Sequence, residues 1–263
     1  MHFHFSTVEI LWTLTFAALL VLLVVLLGRD RARRFPWFTA SIVLAALRML
    51  ASRLLFGKME PLTSSEIFLT LADVEVIVSL AVVVELARRA FARASRNAWI
   101  AGSLIFLVIA ITVLVLWGPW PSWQTVGAHS ALAHLRFMQL IAQKGDLLSG
   151  LLVIELSLLL AFAGRRFNAG WRTHVQQIVL GLSTAAVGQL IVRIVWQKIA
   201  NGPPPRNQEE YLRITGLQDK LFNANSALYF LVVVWWVACL WINEAGSRTA
   251  TGTAAEIPGP SDS

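Results

Sequence analysis

The stretch TVEILWTLTFAALLVLLVVLLGRDRARR, residues 7–34, decides the fold class. Residues 7–27 hold one charged side chain, Glu9, and form an apolar block long enough for an α-helix to cross the roughly 30 Å core of a bilayer. Lipid cannot hydrogen-bond backbone N–H and C=O groups, so such a block is predicted to be helical. The arginines come after the block, whereas a signal peptide begins with its basic residues. The order predicts an uncleaved first transmembrane helix.

Apolar blocks of similar length recur along the whole chain. They lie at 7–27, 36–56, 62–87, 98–117, 146–163, 174–198 and 221–242. Hydrophobic residues make up 57% of the chain and charged residues only 14%, against roughly 25% charged in a soluble domain. The alternating pattern of a β-barrel is absent from these blocks. We therefore predict an all-α integral membrane protein, a seven-transmembrane-helix bundle over 1–244 with a disordered cytoplasmic tail at 245–263.

One segment before the fifth block leaves two interpretations open. Residues 128–143 are amphipathic and compatible with a helix. The segment is predicted either to lie on the membrane surface or to extend the fifth helix outward. The connection at 201–220 is predicted to be a proline-stiffened outer loop.

Basic residues indicate how the helices are oriented. Arginine clusters follow the first, third and fifth blocks, whereas the N-terminal segment has no Lys or Arg and the connection after the second block has only Lys58. Short cytoplasmic loops carry the excess of Lys and Arg. Tryptophans, which favour the membrane interface, fall at predicted inner ends (Trp37, Trp241) and outer ends (Trp117, Trp196). Both patterns predict the N-terminus outside and the C-terminus in the cytoplasm.

The net charge of +7 is explained by this topology and does not predict a nucleic-acid partner, because the basic residues form short clusters between apolar blocks. The predicted partner is the lipid bilayer, with a membrane protein partner or a second copy of the chain as further candidates. Arginine far outnumbers lysine and alanine is abundant, which is typical of a GC-rich bacterial genome. We predict a multi-pass protein of the bacterial cytoplasmic (inner) membrane.

Polar side chains inside the predicted helices are the candidates for a functional site. At membrane depth such residues are costly, and they usually face the bundle interior or a water-filled cavity. Counted from the helix ends at about 1.5 Å per residue, most of them lie in the outer half of the bundle. The candidates for a ligand or ion pocket are Arg48, Asp73, Glu75, Glu155, Gln189 and Arg193.

The second and third blocks form a tight hairpin, in which equal distances from the turn predict equal depths. This register predicts two ion pairs, Arg48 with Asp73 and Arg53 with Glu66. One interpretation is that the pairs lock the hairpin. The other is that Arg48 and Asp73 or Glu75 line an aqueous pocket. Glu155 is predicted either to hydrogen-bond a neighbouring helix or to couple to a proton or a cation.

These patterns favour a sensor-like or transport protein that handles a small molecule or an ion through a polar pocket in the outer half. The alternatives are a structural or assembly subunit of a membrane complex and, third, a membrane-embedded enzyme. The sequence lacks Gly-x-Ser-x-Gly, His-Glu-x-x-His and His-rich metal boxes, so we favour a non-enzymatic role and assign no catalytic residue. Cys239 is the single cysteine and no predicted helix has a central histidine, so neither a metal site nor a cofactor is predicted.

Overall fold

The computed structural model describes residues 7–55, 58–92, 107–117, 120, 131–163, 173–202 and 207–242. Within these ranges all regular secondary structure is helical. The helices are α1 (Thr7–Gly28), α2 (Arg31–Arg34), α3 (Pro36–Leu55), α4 (Pro61–Ala90), α5 (Leu107–Leu116), α6 (Ala131–Ala163), α7 (His174–Ala200) and α8 (Gln208–Trp241). Six of them are long and apolar enough to cross a membrane, so the chain has the architecture of a helical, multi-pass membrane protein.

Two helices begin well before the predicted positions. Helix α6 has 33 residues, so the segment 131–143 extends the fifth predicted helix. Helix α8 has 34 residues, and most of the loop predicted at 201–220 is helical, which corrects that prediction. At about 1.5 Å per residue each helix is about 50 Å long, more than the hydrocarbon core of roughly 30 Å. Hydropathy therefore predicted only the apolar part of each helix.

A side-chain cap explains why α8 begins at Gln208. Asn207 precedes it in an extended conformation, and its side-chain oxygen accepts a hydrogen bond from the backbone N–H of Glu210 at 3.0 Å. Such a cap satisfies one of the free N–H groups of the first turn, and Glu209 and Glu210 favour the positive end of the helix dipole. Of the predicted fourth helix, only 107–117 belong to the described residues, and the predicted tail at 245–263 lies outside them.

The six long helices form a closed ring. Going round it, α1 contacts α3, α3 contacts α4, α4 contacts α6, α6 contacts α7, α7 contacts α8, and α8 returns to α1. Helix α4 also contacts α7 across the middle of the ring. Consecutive long helices are therefore neighbours, including α4 and α6, although residues 91–130 lie between these two in the chain.

One end of the ring is filled with apolar side chains, and we call it the closed end. It is the end where α3 and α7 begin and where α1, α4 and α8 finish. Its largest fully buried side chains are Trp236, Phe35, Phe38, Leu19, Leu22, Leu26, Leu86, Ile178 and Leu240. Phe38 and Trp236 meet edge to face with ring centroids 5.1 Å apart. The hydrophobic core thus lies at the closed end rather than along the whole bundle.

Hydrogen bonds of two buried charged side chains connect the helix termini at the closed end. Arg31, only 6% exposed, donates to the ring of His174 at the start of α7 and to the backbone oxygen of Ile242 just after α8 at 2.9 Å. Glu85 of α4 accepts hydrogen bonds from the backbone N–H groups of Trp37 and Phe38, each at 3.1 Å. It thereby caps the N-terminus of α3, where a carboxylate is favoured.

Glycines on α7 allow α8 to approach closely. A Cβ atom on Gly181 would overlap the indole of Trp236, and one on Gly188 would overlap Leu228. Small residues at helix contacts are typical of membrane bundles, where packing rather than the hydrophobic effect holds helices together. The two glycines are seven residues apart, so both lie on the face of α7 that meets α8.

Candidate functional site

A cavity of about 140 Å³ lies inside the ring, between α3, α4, α6, α7 and α8, and we call it the chamber. Trp236 lines it too, so the chamber ends where the closed-end core begins. Its polar lining is Ser41, Glu75, Ser79, Asp146, Ser149, Gln189 and Tyr229. Polar and apolar side chains therefore line the chamber together.

A second cavity of about 670 Å³ lies beyond the chamber, and we call it the vestibule. It shares Asp146 and Gln189 with the chamber, so these two residues form the neck between the cavities. Its lining reaches Gln197 and Asn201 at the end of α7, both of which are exposed. The end of the ring opposite the closed end therefore contains an opening, and we call it the open end.

An ion pair stands at the neck. Arg193 of α7 donates to a carboxylate oxygen of Asp146 of α6 at 2.9 Å and to the backbone oxygen of Gln143 at 3.2 Å. Gln189 lies one turn from Arg193 on the same face of α7. The pair joins two neighbouring helices and leaves both side chains partly exposed, at 31% for Arg193 and 47% for Asp146.

A second ion pair joins α3 and α4, and it corrects the predicted pairing. Arg48 pairs with Glu75, not with Asp73. Arg53 pairs with Glu9 of α1 at 3.4 Å, not with Glu66. The hairpin register gives depth along the helices but not direction around them. Residues two apart on a helix differ by about 200° around its axis, so only one of Asp73 and Glu75 can face α3.

The predicted candidates divide into two groups. Glu75, Gln189 and Arg193 line the chamber or the vestibule. Arg48 lines neither cavity but forms an ion pair with Glu75. Asp73 and Glu155 line neither cavity. Each of these two has one buried carboxylate oxygen without a hydrogen-bond partner among the described residues. The structure thus brings four of the six candidates together.

Sequence reasoning missed the residue at the centre of the site. The apolar block at 146–163 predicts that Asp146 lies at the outer start of the fifth helix, but α6 begins at Ala131 and places Asp146 well inside the helix. The amphipathic pattern of 128–143 was the available signal, because an outward extension of the helix moves Asp146 from its end to its interior. Tyr229 and the chamber serines were missed because their residue types carry no depth signal.

Lys144 connects α5 to the wall of the vestibule. Its Nζ atom donates to the backbone oxygens of Leu114, at 3.2 Å, and of Trp117. It also lies 4.8 Å from the centroid of the Trp120 ring. A cation at the last carbonyls of a helix is favoured by the helix dipole. Lys144 therefore attaches the described part of the fourth predicted helix to α6.

The arrangement can hold a polar solute, because oxygen atoms from several helices converge on one cavity. Within the described ranges no group of three His, Cys, Asp or Glu side chains could hold a metal ion. Comparisons of the chain with protein families, with curated proteins and with solved structures found no match.

Proposed function

We propose that the protein binds a small molecule or an ion in the chamber and acts as a sensor-like or transport protein. The observation that carries the proposal is that the vestibule and the chamber meet at two polar residues, Asp146 and Gln189, which line both cavities. A membrane bundle that needed only to be stable would gain by filling this space, since cavities cost packing energy. The closed-end core supports access from one side of the membrane at a time.

We also propose a seven-helix bundle in a bacterial cytoplasmic membrane, with the closed end in the cytoplasm and the open end outside. The arginine-rich connections support this orientation. Arg29 lies 5.0 Å from the centroid of the Trp241 ring, and Arg89 lies 4.9 Å from that of Phe35, both at the closed end. Such cation–π pairs suit the interface between lipid and water. In this orientation the chamber takes its ligand from outside the cell.

A structural or assembly subunit is the second candidate, and one observation favours it. Each of the two ion pairs joins neighbouring helices of the ring, Arg48–Glu75 between α3 and α4 and Arg193–Asp146 between α6 and α7. On this account the pairs hold the bundle together, and the chamber is only the space around them.

Labelling of single cysteines tests the binding proposal. In a Cys239→Ser background, Ser79→Cys places a thiol in the chamber. Ser183→Cys is the matched control, because Ser183 is buried and hydrogen-bonds Ser157 outside the chamber lining. We expect a membrane-impermeant thiol reagent, added outside intact cells, to label Ser79→Cys and not Ser183→Cys.

A large side chain at the neck tests whether the thiol reagent reaches the chamber through the vestibule. Gln189→Trp fills the neck, whereas Ile191→Trp places an equal volume on the exposed face of α7, where Ile191 is 54% exposed. Gln189→Trp is expected to abolish labelling of Ser79→Cys, and Ile191→Trp to leave it unchanged. Absence of labelling in the folded Ser79→Cys variant, or equal labelling of both cysteines, contradicts a pocket that is open to the outside.

A further inference from the structure

We infer that the chamber binds the ammonium group of a small organic amine. This inference rests on the proposed binding function and names the class of ligand. It follows from what the chamber wall can offer to a guest, namely hydrogen-bond acceptors, the remaining lone pairs of two carboxylates that are each paired with an arginine, and aromatic surface.

Two of the three serine hydroxyls of the wall, those of Ser41 and Ser149, already donate hydrogen bonds within the protein. Ser41 Oγ donates to the backbone oxygen of Phe38 at 2.7 Å, and Ser149 Oγ donates to that of Asp146 at 3.0 Å. A hydroxyl has one proton and two lone pairs, so both serines present only acceptor capacity to the chamber. A guest that satisfies them must bring hydrogen-bond donors.

The charged groups of the chamber wall are both acidic. Glu75 of α4 and Asp146 of α6 line it, and no lysine or arginine does so among the described residues. Arg48 reaches Glu75 from outside the chamber, and Arg193 lines the vestibule. A carboxylate has about four lone-pair positions, so one arginine contact leaves acceptor capacity on each. An ammonium group, with three donors and a positive charge, matches this wall.

The aromatic side chains of the wall and the volume of the chamber narrow the class of ligand further. Tyr229 and Trp236 line the chamber, and aromatic faces attract cations when water is excluded. The volume of about 140 Å³ is close to that of the engineered cavity of about 150 Å³ that holds benzene. The part of the guest that lies in the chamber is therefore a primary ammonium group on a short carbon skeleton.

An ammonium group can belong to a simple amine or to a zwitterion. Arg193 lines the vestibule beside the neck, where its guanidinium would face the carboxylate of a zwitterion. Both sources share the chemistry that the chamber recognises, and a comparison of matched solutes distinguishes them.

Isothermal titration calorimetry of the full chain in lipid nanodiscs tests the inference with four solutes that share a three-carbon skeleton. These are propylammonium, β-alanine, propionate and 1-propanol. We expect propylammonium or β-alanine to bind and the other two not to bind. Tighter binding of β-alanine identifies a zwitterion as the preferred guest, and tighter binding of propylammonium identifies a simple amine.

Variants of the wall link the binding to the chamber. Glu75→Gln should weaken ammonium binding roughly tenfold, because the amide oxygen still accepts a hydrogen bond but no longer carries a negative charge. Ser149→Ala should weaken it by about two- to fivefold and is not expected to disturb folding. Ser183→Ala, outside the chamber lining, should leave the affinity unchanged.

Three results would overturn the inference: tighter binding of propionate or 1-propanol, unchanged affinity in both Glu75→Gln and Ser149→Ala, or no binding of any of the four solutes. Failure of the inference is distinguishable from failure of the proposed function. If the ammonium inference fails but Ser79→Cys is labelled and Gln189→Trp blocks this labelling, the proposed pocket stands and only the class of ligand is wrong. Absence of both labelling and binding would remove both proposals.

Discussion

The closed end and the open end of the bundle are built from the same helices by different means. At the closed end, Phe38 and Trp236 pack edge to face, and Arg31 is buried at 6% exposure against His174. At the open end the charged residues form pairs that stay partly exposed, such as Arg53 with Glu9, at 64% and 40%. An arginine thus forms buried hydrogen bonds at the closed end and an exposed ion pair at the open end.

This difference indicates where the stability of the bundle and its function lie. A fully packed region resists change, because a loss of volume there leaves a cavity and added volume causes overlap. In a region that contains a chamber, a substitution changes the stability of the bundle little but changes the contacts with a ligand. We therefore expect substitutions at the closed end to affect unfolding and those at the open end to affect binding.

Trp236→Ala should have the largest effect on stability. Trp236 is 1% exposed, and its removal should lower the free energy of unfolding by about 3–5 kcal/mol. Trp235, its neighbour in sequence, is 44% exposed and provides the matched control. Trp235→Ala should cost less than about 1 kcal/mol. Unfolding in a detergent titration measures both, and equal losses would contradict a core confined to one face of α8.

Gly181→Ala should destabilise the bundle by about 2 kcal/mol, because the added Cβ overlaps the indole of Trp236. Gly216→Ala is the control, since a Cβ there has no neighbour within 4 Å. It should stabilise α8 by up to about 1 kcal/mol through helix propensity. If Gly181→Ala proved as stable as Gly216→Ala, the close approach of α7 and α8 would be wrong.

Glu85→Ala should cost about 1–2 kcal/mol, because the first turn of α3 loses its cap. Glu9→Ala removes a carboxylate at the open end, where the exposed pair with Arg53 is worth less than about 1 kcal/mol. Thermal unfolding of the two variants compares the ends directly. A larger loss for Glu9→Ala would reverse the assignment of stability to the closed end.

The sequence predicted the helical membrane architecture because an apolar block of spanning length has few alternatives in lipid. Of the six pocket candidates it predicted, Glu75, Gln189 and Arg193 line the chamber or the vestibule, and their role in binding stays a prediction. The pairing of Arg48 with Glu75 rather than Asp73 was not predictable, because it depends on the rotation of α4 about its axis. Asp146 was missed because hydropathy shows where the apolar part of a helix begins and not where the helix itself begins.

The division between the two ends is tested most directly by a double-mutant cycle on Asp146 and Arg193, with Asp146→Asn, Arg193→Gln and the double variant. Because both side chains are partly exposed, the coupling energy in unfolding should be below about 1 kcal/mol, while Asp146→Asn, which removes the charge of a carboxylate of the chamber wall, loses binding of a chamber ligand. A coupling energy of about 3–5 kcal/mol, typical of a buried pair that holds a fold together, with binding unaffected, would contradict this account and favour a structural role.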